Sequence, residues 1–208
     1  ETVRRVILQA AAPGDVVVFS GSLPPGCPFD YYATVGRSLR ERGVLVVVDT
    51  SGQALRESLT LPPQIVKPNR DELSQLVGMP LPDSEAAVEA GRALWEHLSS
   101  SGPAPRGSEA LILTLGAQGA VFFTSQGAFH AIAPEETGGT TAGCGDALLA
   151  ASVYGRELGW SWETIARFAT ATAAATAAIL GTRFPARAEV EQRLDSVKVR
   201  RLPERRSH

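Results

Sequence analysis

Lysine is nearly absent from this 208-residue chain: eighteen of its 20 basic residues are Arg, and only Lys67 and Lys198 are Lys. A lysine kept in such a background points to a place where a compact ammonium is used rather than a planar guanidinium, unless chance put it there. Cysteine is equally scarce. Cys27 and Cys144 are the only two, which excludes a disulfide framework and suits a reduced compartment. No apolar run is long enough to span a bilayer. The opening ETVRRVILQAAAPGD has no apolar stretch followed by a cleavage site, so it does not read as a secretion signal. Excess charge of one sign is missing too. The net charge is −2, giving no reason to expect nucleic acid or a membrane as partner. A cytoplasmic protein is the expectation. The first residue is Glu1 rather than Met, as in a fragment or a processed chain.

What is present is a globular composition. Hydrophobic residues make up 44% of the chain, and its length suits one substantial α/β domain with a real core. Short β-branched runs at 16–20, 44–48, 65–66 and 110–115 read as buried strands. Helical spacing recurs over 29–42, 69–77, 84–99, 144–158, 162–179 and roughly 186–197. A hairpin is expected for 120–124 and 128–132, turning at Gln126-Gly127. Continuous apolar strands alternating with helices imply a mostly parallel sheet covered on both faces. In such folds ligands bind beyond the carboxyl ends of the strands.

Four loops after those strands carry unusual chemistry. GGTTAGCGDALLAA, 138–151, opens an Ala/Leu-rich helix. Unpaired N–H groups at a helix N-terminus attract anions, and glycines there let an anion approach the backbone. Asp146 in the first turn fits a general base that takes a proton from an attacking hydroxyl. The same Gly-plus-Asp pattern also begins ordinary helices. It is not a P-loop, because Cys144 and Gly145 follow Gly143 where Lys and Ser/Thr are needed. Nor is it a dinucleotide fingerprint, since Leu148 stands where the third glycine belongs.

TLGAQGA, 114–120, is a G-x-x-G turn against which a nucleotide can lie, or simply a tight hairpin turn. IVKPNRDE, 65–72, sends Lys67 off a strand end, where it can meet phosphate oxygens. Asn69 and Glu72 are spaced either to hold Mg²⁺ through water or to form a helix capping box. SGSLPPG, 20–26, ends a strand in small polar residues suited to a sugar phosphate, or is a proline-rich turn.

Taken as a set and in this order, SGSLPPG, DTSG (49–52), KPNRDE, TLGAQGA, AGCGDA and GTR (181–183) resemble the phosphosugar branch of the PfkB, ribokinase-like carbohydrate kinases. The likeness runs from about residue 12 to 197. It implies a ribokinase-like three-layer α/β/α sandwich. It also implies ATP- and Mg²⁺-dependent phosphorylation of a ketohexose monophosphate, with fructose 1-phosphate first and tagatose 6-phosphate or fructose 6-phosphate next. By the resemblance Asp146 is the catalytic base, and Gly143, Cys144 and Gly145 form the anion hole for the transferring phosphoryl. Lys67 and Asn69 contact ATP phosphates, while Asn69 and Glu72 form the Mg²⁺-linked motif. Thr114, Gly116, Ala117, Gln118 and Gly119 form the nucleotide turn. Gly21 and Ser22 meet the sugar's phosphate, and the helix around Thr170 and Ala174 walls the adenine.

Cys144 departs from the family's usual alanine. A thiol at a helix N-terminus is expected to have a lowered pKa and to be reactive. The resemblance further implies that the N-terminal strands of the sheet, the sugar-binding glycines and the small β lid lie outside this sequence. The chain is then the C-terminal nucleotide-binding and catalytic part of the kinase domain. A homodimer belongs to the full-length form, and truncation could leave a non-catalytic nucleotide-binding remnant.

Overall fold

The computed structural model describes residues 2–100, 108–134, 142–179 and 184–204. The chain divides into two compact units, Glu1–Ile112 and Leu113–His208. GTR, at 181–183, and residues 138–141 of the glycine-rich loop lie outside the described residues.

The first unit alternates strand and helix as the periodicity predicts. Its strands are β1 (Val16–Ser20), β2 (Leu45–Asp49), β3 (Ile65–Val66) and the start of β4 (Ala110–Thr114). They pair in parallel, with Val18 beside Val47, Val47 beside Ile65, and Ile65 beside Ala110. The connections carry α2 (Tyr31–Arg40), α3 (Gly52–Ser58), α4 (Arg70–Val77) and α5 (Ser84–Ser100), and α1 (Thr2–Ala10) precedes β1. Neither α1 nor α3 stands out from the sequence pattern.

β1 is not the buried strand that its apolar run predicts. Only Phe19 is buried there, and Val18 is 43% exposed. Among the described residues β1 pairs only with β2. Its Phe19 packs with Tyr32, Val35, Leu39, Val46 and Val48, while Ile7, Leu8 and Val17 lie against that cluster. β3 is confined to two residues by Pro62 and Pro63 before it and Pro68 after it, since proline cannot donate to a ladder. Gln64 extends its reach. The buried side-chain oxygen Oε1 accepts from the Val46 N–H at 2.7 Å, and the Gln64 carbonyl accepts from the N–H groups of Glu109 and Ala110.

The second unit holds β5 (Ala120–Thr124), β6 (Gly127–Ile132) and β7 (Lys198–Leu202), which run antiparallel in that order. The hairpin turn falls at Gln126-Gly127 as expected. Thr124 Oγ1 donates to the Gly127 carbonyl and accepts from the Gln126 N–H. The helix expected to run to 197 stops far sooner. α8 spans only Arg187–Glu191, a 3₁₀ turn covers Leu194–Ser196, and β7 follows. KVRRL hides as a strand because an edge strand can keep its charges in water.

Two Ala-rich helices, α6 (Cys144–Glu157) and α7 (Trp162–Ala177), pack closely. Ser161 caps α7 by accepting the Thr164 N–H. Gly155 sets the approach of the pair: a Cβ there would lie 2.9 Å from Ile165 Cγ1 and 3.0 Å from Trp160 Cε3. Gly155→Val should therefore destabilise the chain by about 1–3 kcal/mol through overpacking, read as a lower urea midpoint with an unchanged slope. A midpoint at or above wild type would show that the helices have room to part.

Candidate active site

In the first unit the candidate residues gather where the parallel strands end. Gly21 follows β1 at φ 87°, a left-handed conformation that suits glycine. Its N–H donates to the Asp49 carbonyl at 2.9 Å. Its own carbonyl accepts from Thr50 Oγ1 at 2.8 Å and from the Tyr32 hydroxyl at 3.2 Å. The backbone is thus clamped immediately before Ser22, which is exposed.

Lys67 leaves β3 and is buried, its Nζ 3.0 Å from Asp49 Oδ1 at the end of β2. The ammonium expected to face phosphate is thus ion-paired inside the protein. Such a pair is weak evidence of stabilisation, since an apolar pair of similar size often serves as well. Asn69 and Glu72 form a full capping box on α4. Asn69 Oδ1 accepts the Glu72 N–H and Glu72 Oε2 accepts the Asn69 N–H, both at 2.8 Å. Burial pushes the Glu72 carboxyl above its ordinary pKa, against a smaller downward pull from the Asn69 N–H and the Lys67 charge. Asp49, Lys67 and Glu72 are therefore electrostatic neighbours. Among the described residues no group of three or more His, Cys, Asp and Glu side chains is placed to hold a metal ion by itself. The oxygens of Asp49, Asn69 and Glu72 are of the hard type Mg²⁺ takes, and that ion needs few from protein when phosphates supply the rest.

In the second unit, Thr114 ends β4 and a 3₁₀ turn covers Gly116–Gln118. Gly116, Ala117 and Gln118 are exposed. The two glycines serve different ends. Among the described residues a Cβ at Gly116 would meet nothing within 4 Å, whereas one at Gly119 would lie 2.0 Å from the Ala131 carbonyl oxygen. Gly119 is thus required by the close passage of β6. Gly143 precedes α6 at φ 77° and supplies no side-chain cap, and among the described residues nothing lies within 4 Å of a Cβ built on it. Gly145 follows at the start of α6, and Asp146 is exposed in its first turn.

The Cys144 expectation is reversed. Burial raises the thiol pKa, outweighing the downward pull of its own backbone N–H. Desolvation penalises the thiolate more than the helix terminus favours it. Thr170 and Ala174 are both buried on α7, and among the described residues the Thr170 hydroxyl finds no hydrogen-bond partner.

Two residues behind the loops escape a reading of motifs. Asp49 appears in the sequence only as the first letter of DTSG, although an acid closing a β-branched strand is a recognisable signal. His130 gives no signal at all. It sits mid-strand in β6, buried, and its Nε2–H donates to the Gln118 carbonyl at 2.8 Å, while Arg200 Nη2 donates to Nδ1 at 3.2 Å.

An α/β arrangement with short polar loops at its strand ends, a glycine without a side-chain cap at a helix start and an exposed acid in that helix's first turn can receive an anion. Residues 2–189 match the pfkB family carbohydrate kinases, and the chain belongs to that family. It is 30% identical over 194 residues to the 1-phosphofructokinase of Bacillus subtilis, covering 93% of this chain and 60% of that protein. It is 33% identical over 204 residues to the 1-phosphofructokinase of Rhodobacter capsulatus, covering 98% and 62%. The crystal structure of phosphofructokinase-2 from Escherichia coli in complex with potassium superposes with a TM-score of 0.83 at 26% identity, over 93% of this chain and 60% of that one. The ribokinase-like α/β fold follows from this likeness. The chain spans about 60% of the length of the curated relatives it matches. Among the described residues no helix is long and apolar enough to cross a membrane.

Asp49→Ala should destabilise the fold by about 3–5 kcal/mol by stranding a buried ammonium. Asp49→Leu/Lys67→Met should recover most of that loss. Urea denaturation tests both, and equal stability of Asp49→Ala and wild type would refute a buried pair. His130 supplies a pH dependence. Burial lowers its pKa, with the Gln118 bond working the other way and the Arg200 charge adding to the lowering. The unfolded chain therefore takes up the proton first, so the contribution is complete above the ordinary histidine range and is lost as pH falls toward the lowered folded value. The urea midpoint of wild type should drop on acidification through that window more steeply than that of His130→Gln.

Proposed function

We propose that this chain is the nucleotide-binding and catalytic part of an ATP-dependent kinase. It transfers the γ-phosphoryl group to a hydroxyl of a ketohexose monophosphate, with fructose 1-phosphate as the first candidate. The observation that carries the proposal is the family match over nearly the whole chain, with an exposed acid in the first turn of a glycine-started helix. The names of the relatives support the substrate class.

In the second unit, Asp146 takes the proton of the attacking hydroxyl as its oxygen bonds to phosphorus and the bond to the β-phosphate oxygen breaks. The amides of Gly143, Cys144 and Gly145 stabilise charge on the transferring group. Thr114, Gly116, Ala117, Gln118 and Gly119 receive the nucleotide against an exposed backbone. In the first unit, Lys67 exchanges its Asp49 partner for a phosphate oxygen, and Asn69 supports that contact. Gly21 and Ser22 receive the sugar's phosphate on a clamped backbone. Mg²⁺, held by Asn69 and Glu72 through water, would neutralise phosphate charge. Catalysis in this scheme is positioning and electrostatics. Assembly as a homodimer and a cytoplasmic location complete the proposal.

A second reading is favoured by the coverage of about 60%: a nucleotide-binding remnant without catalysis. The deciding measurement is ATP turnover by this chain with Mg²⁺ and fructose 1-phosphate, fructose 6-phosphate, tagatose 6-phosphate or no sugar. Turnover should depend on fructose 1-phosphate and fall about 100- to 10,000-fold in Asp146→Asn. Preference for another sugar would move the substrate assignment. Saturable MgATP binding without turnover would favour the remnant, and no binding would overturn the nucleotide assignment.

A further inference from the structure

His130 is a strange residue for its place. It lies in the middle of β6, opposite Val121 on β5 and Arg200 on β7, and only 6% of its surface is exposed. A buried imidazole in a strand that is otherwise Gly, Ala, Phe and Ile costs desolvation that an apolar residue avoids. The mechanism above gives it no task.

Its two ring nitrogens both have partners, and together they fix its tautomer. The Gln118 carbonyl can only accept, so Nε2 carries the hydrogen, and Nδ1 is then free to accept from Arg200. The result is a relay from β7 through β6 to the carbonyl of the turn's third residue. The turn's own bonds are short-range: Gly119 N–H to the Gly116 carbonyl, and Leu115 N–H to the Gly119 carbonyl. Gly119 meanwhile lets the turn lie against β6 at Ala131, the residue next to His130. The exposed face of the turn is thus held from behind by one side chain.

We propose that His130 is a positioning residue that holds the Gly116–Gly119 turn, through the Gln118 carbonyl, in the conformation that receives the nucleotide, with Arg200 as its brace. This rests on the assignment of the turn to nucleotide above. It assigns His130 no contact with nucleotide and no proton transfer.

The test is calorimetric titration of the chain with MgATP, using wild type, His130→Ala, His130→Gln and Val121→Ala. Losing the bond to the turn in His130→Ala should raise the Kd about tenfold, the effect of one hydrogen bond. His130→Gln places an amide N–H near the Nε2 position and should bind within about threefold of wild type, by the same reasoning. Val121→Ala trims the buried residue opposite His130 on β5 and leaves the His130 bond to Gln118 in place. It should lower the urea midpoint and leave the Kd unchanged, so a rise in Kd there equal to that of His130→Ala would reduce the effect to general destabilisation. Should His130→Ala not fold, failure of folded His130→Gln to bind near wild-type strength would overturn the proposal. Tight binding by wild type and His130→Ala alike overturns it while sparing the nucleotide assignment. No saturable binding by wild type overturns both.

Discussion

Lys67 can enter the interior only because Asp49 ends the neighbouring strand and meets its ammonium at 3.0 Å. Two parallel strands are tied at their carboxyl ends by that contact, and every candidate loop of the first unit leaves from the same edge. The Asp49 carbonyl also holds the Gly21 N–H, so the loop after β1 is registered against the pair as well. A buried ion pair gains little over two apolar side chains and is costly to split. The pair stands at the carboxyl ends of the parallel strands, the end at which such folds bind their ligands.

In the second unit the ruling constraint is backbone distance. Gly119 and Gly155 are each a point where a single carbon atom would collide with a neighbour, the first with a carbonyl and the second with the side chains of Ile165 on the next helix and Trp160 just before it. Gly116 and Gly143 differ in kind. Each has a positive φ and, among the described residues, nothing within 4 Å of a would-be Cβ. The four look alike in the sequence. Two make room for the protein itself, and two leave open backbone where an anion can come near.

Structural and functional readings of one motif need not compete. Asn69 and Glu72 do form the capping box that their spacing allows. That box holds the Glu72 carboxyl where it feels the Lys67 charge, so cap and electrostatic neighbourhood share one side chain. Cys144 teaches the reverse lesson. The helix terminus promises a reactive thiolate, but partial burial dominates, because desolvation acts on the whole charge and the terminus offers only a fraction of one.

Local patterns were enough to place most strands and helices, the Gln126-Gly127 turn, the Asn69 cap and the candidate loops. Each is decided by period, turn residues or spacing within a few positions. The order of those loops along the chain sufficed to suggest the family. What the sequence left open depends on partners far apart in it. Whether β1 is buried turns on how many strands flank it, and β7 is a strand only because β6 is there to pair with it. Gly119 has its role through Ala131, Lys67 through Asp49, and His130 through Gln118 and Arg200. Contacts of that kind leave no periodic trace, because the energy that selects each residue comes from a group that only folding brings near.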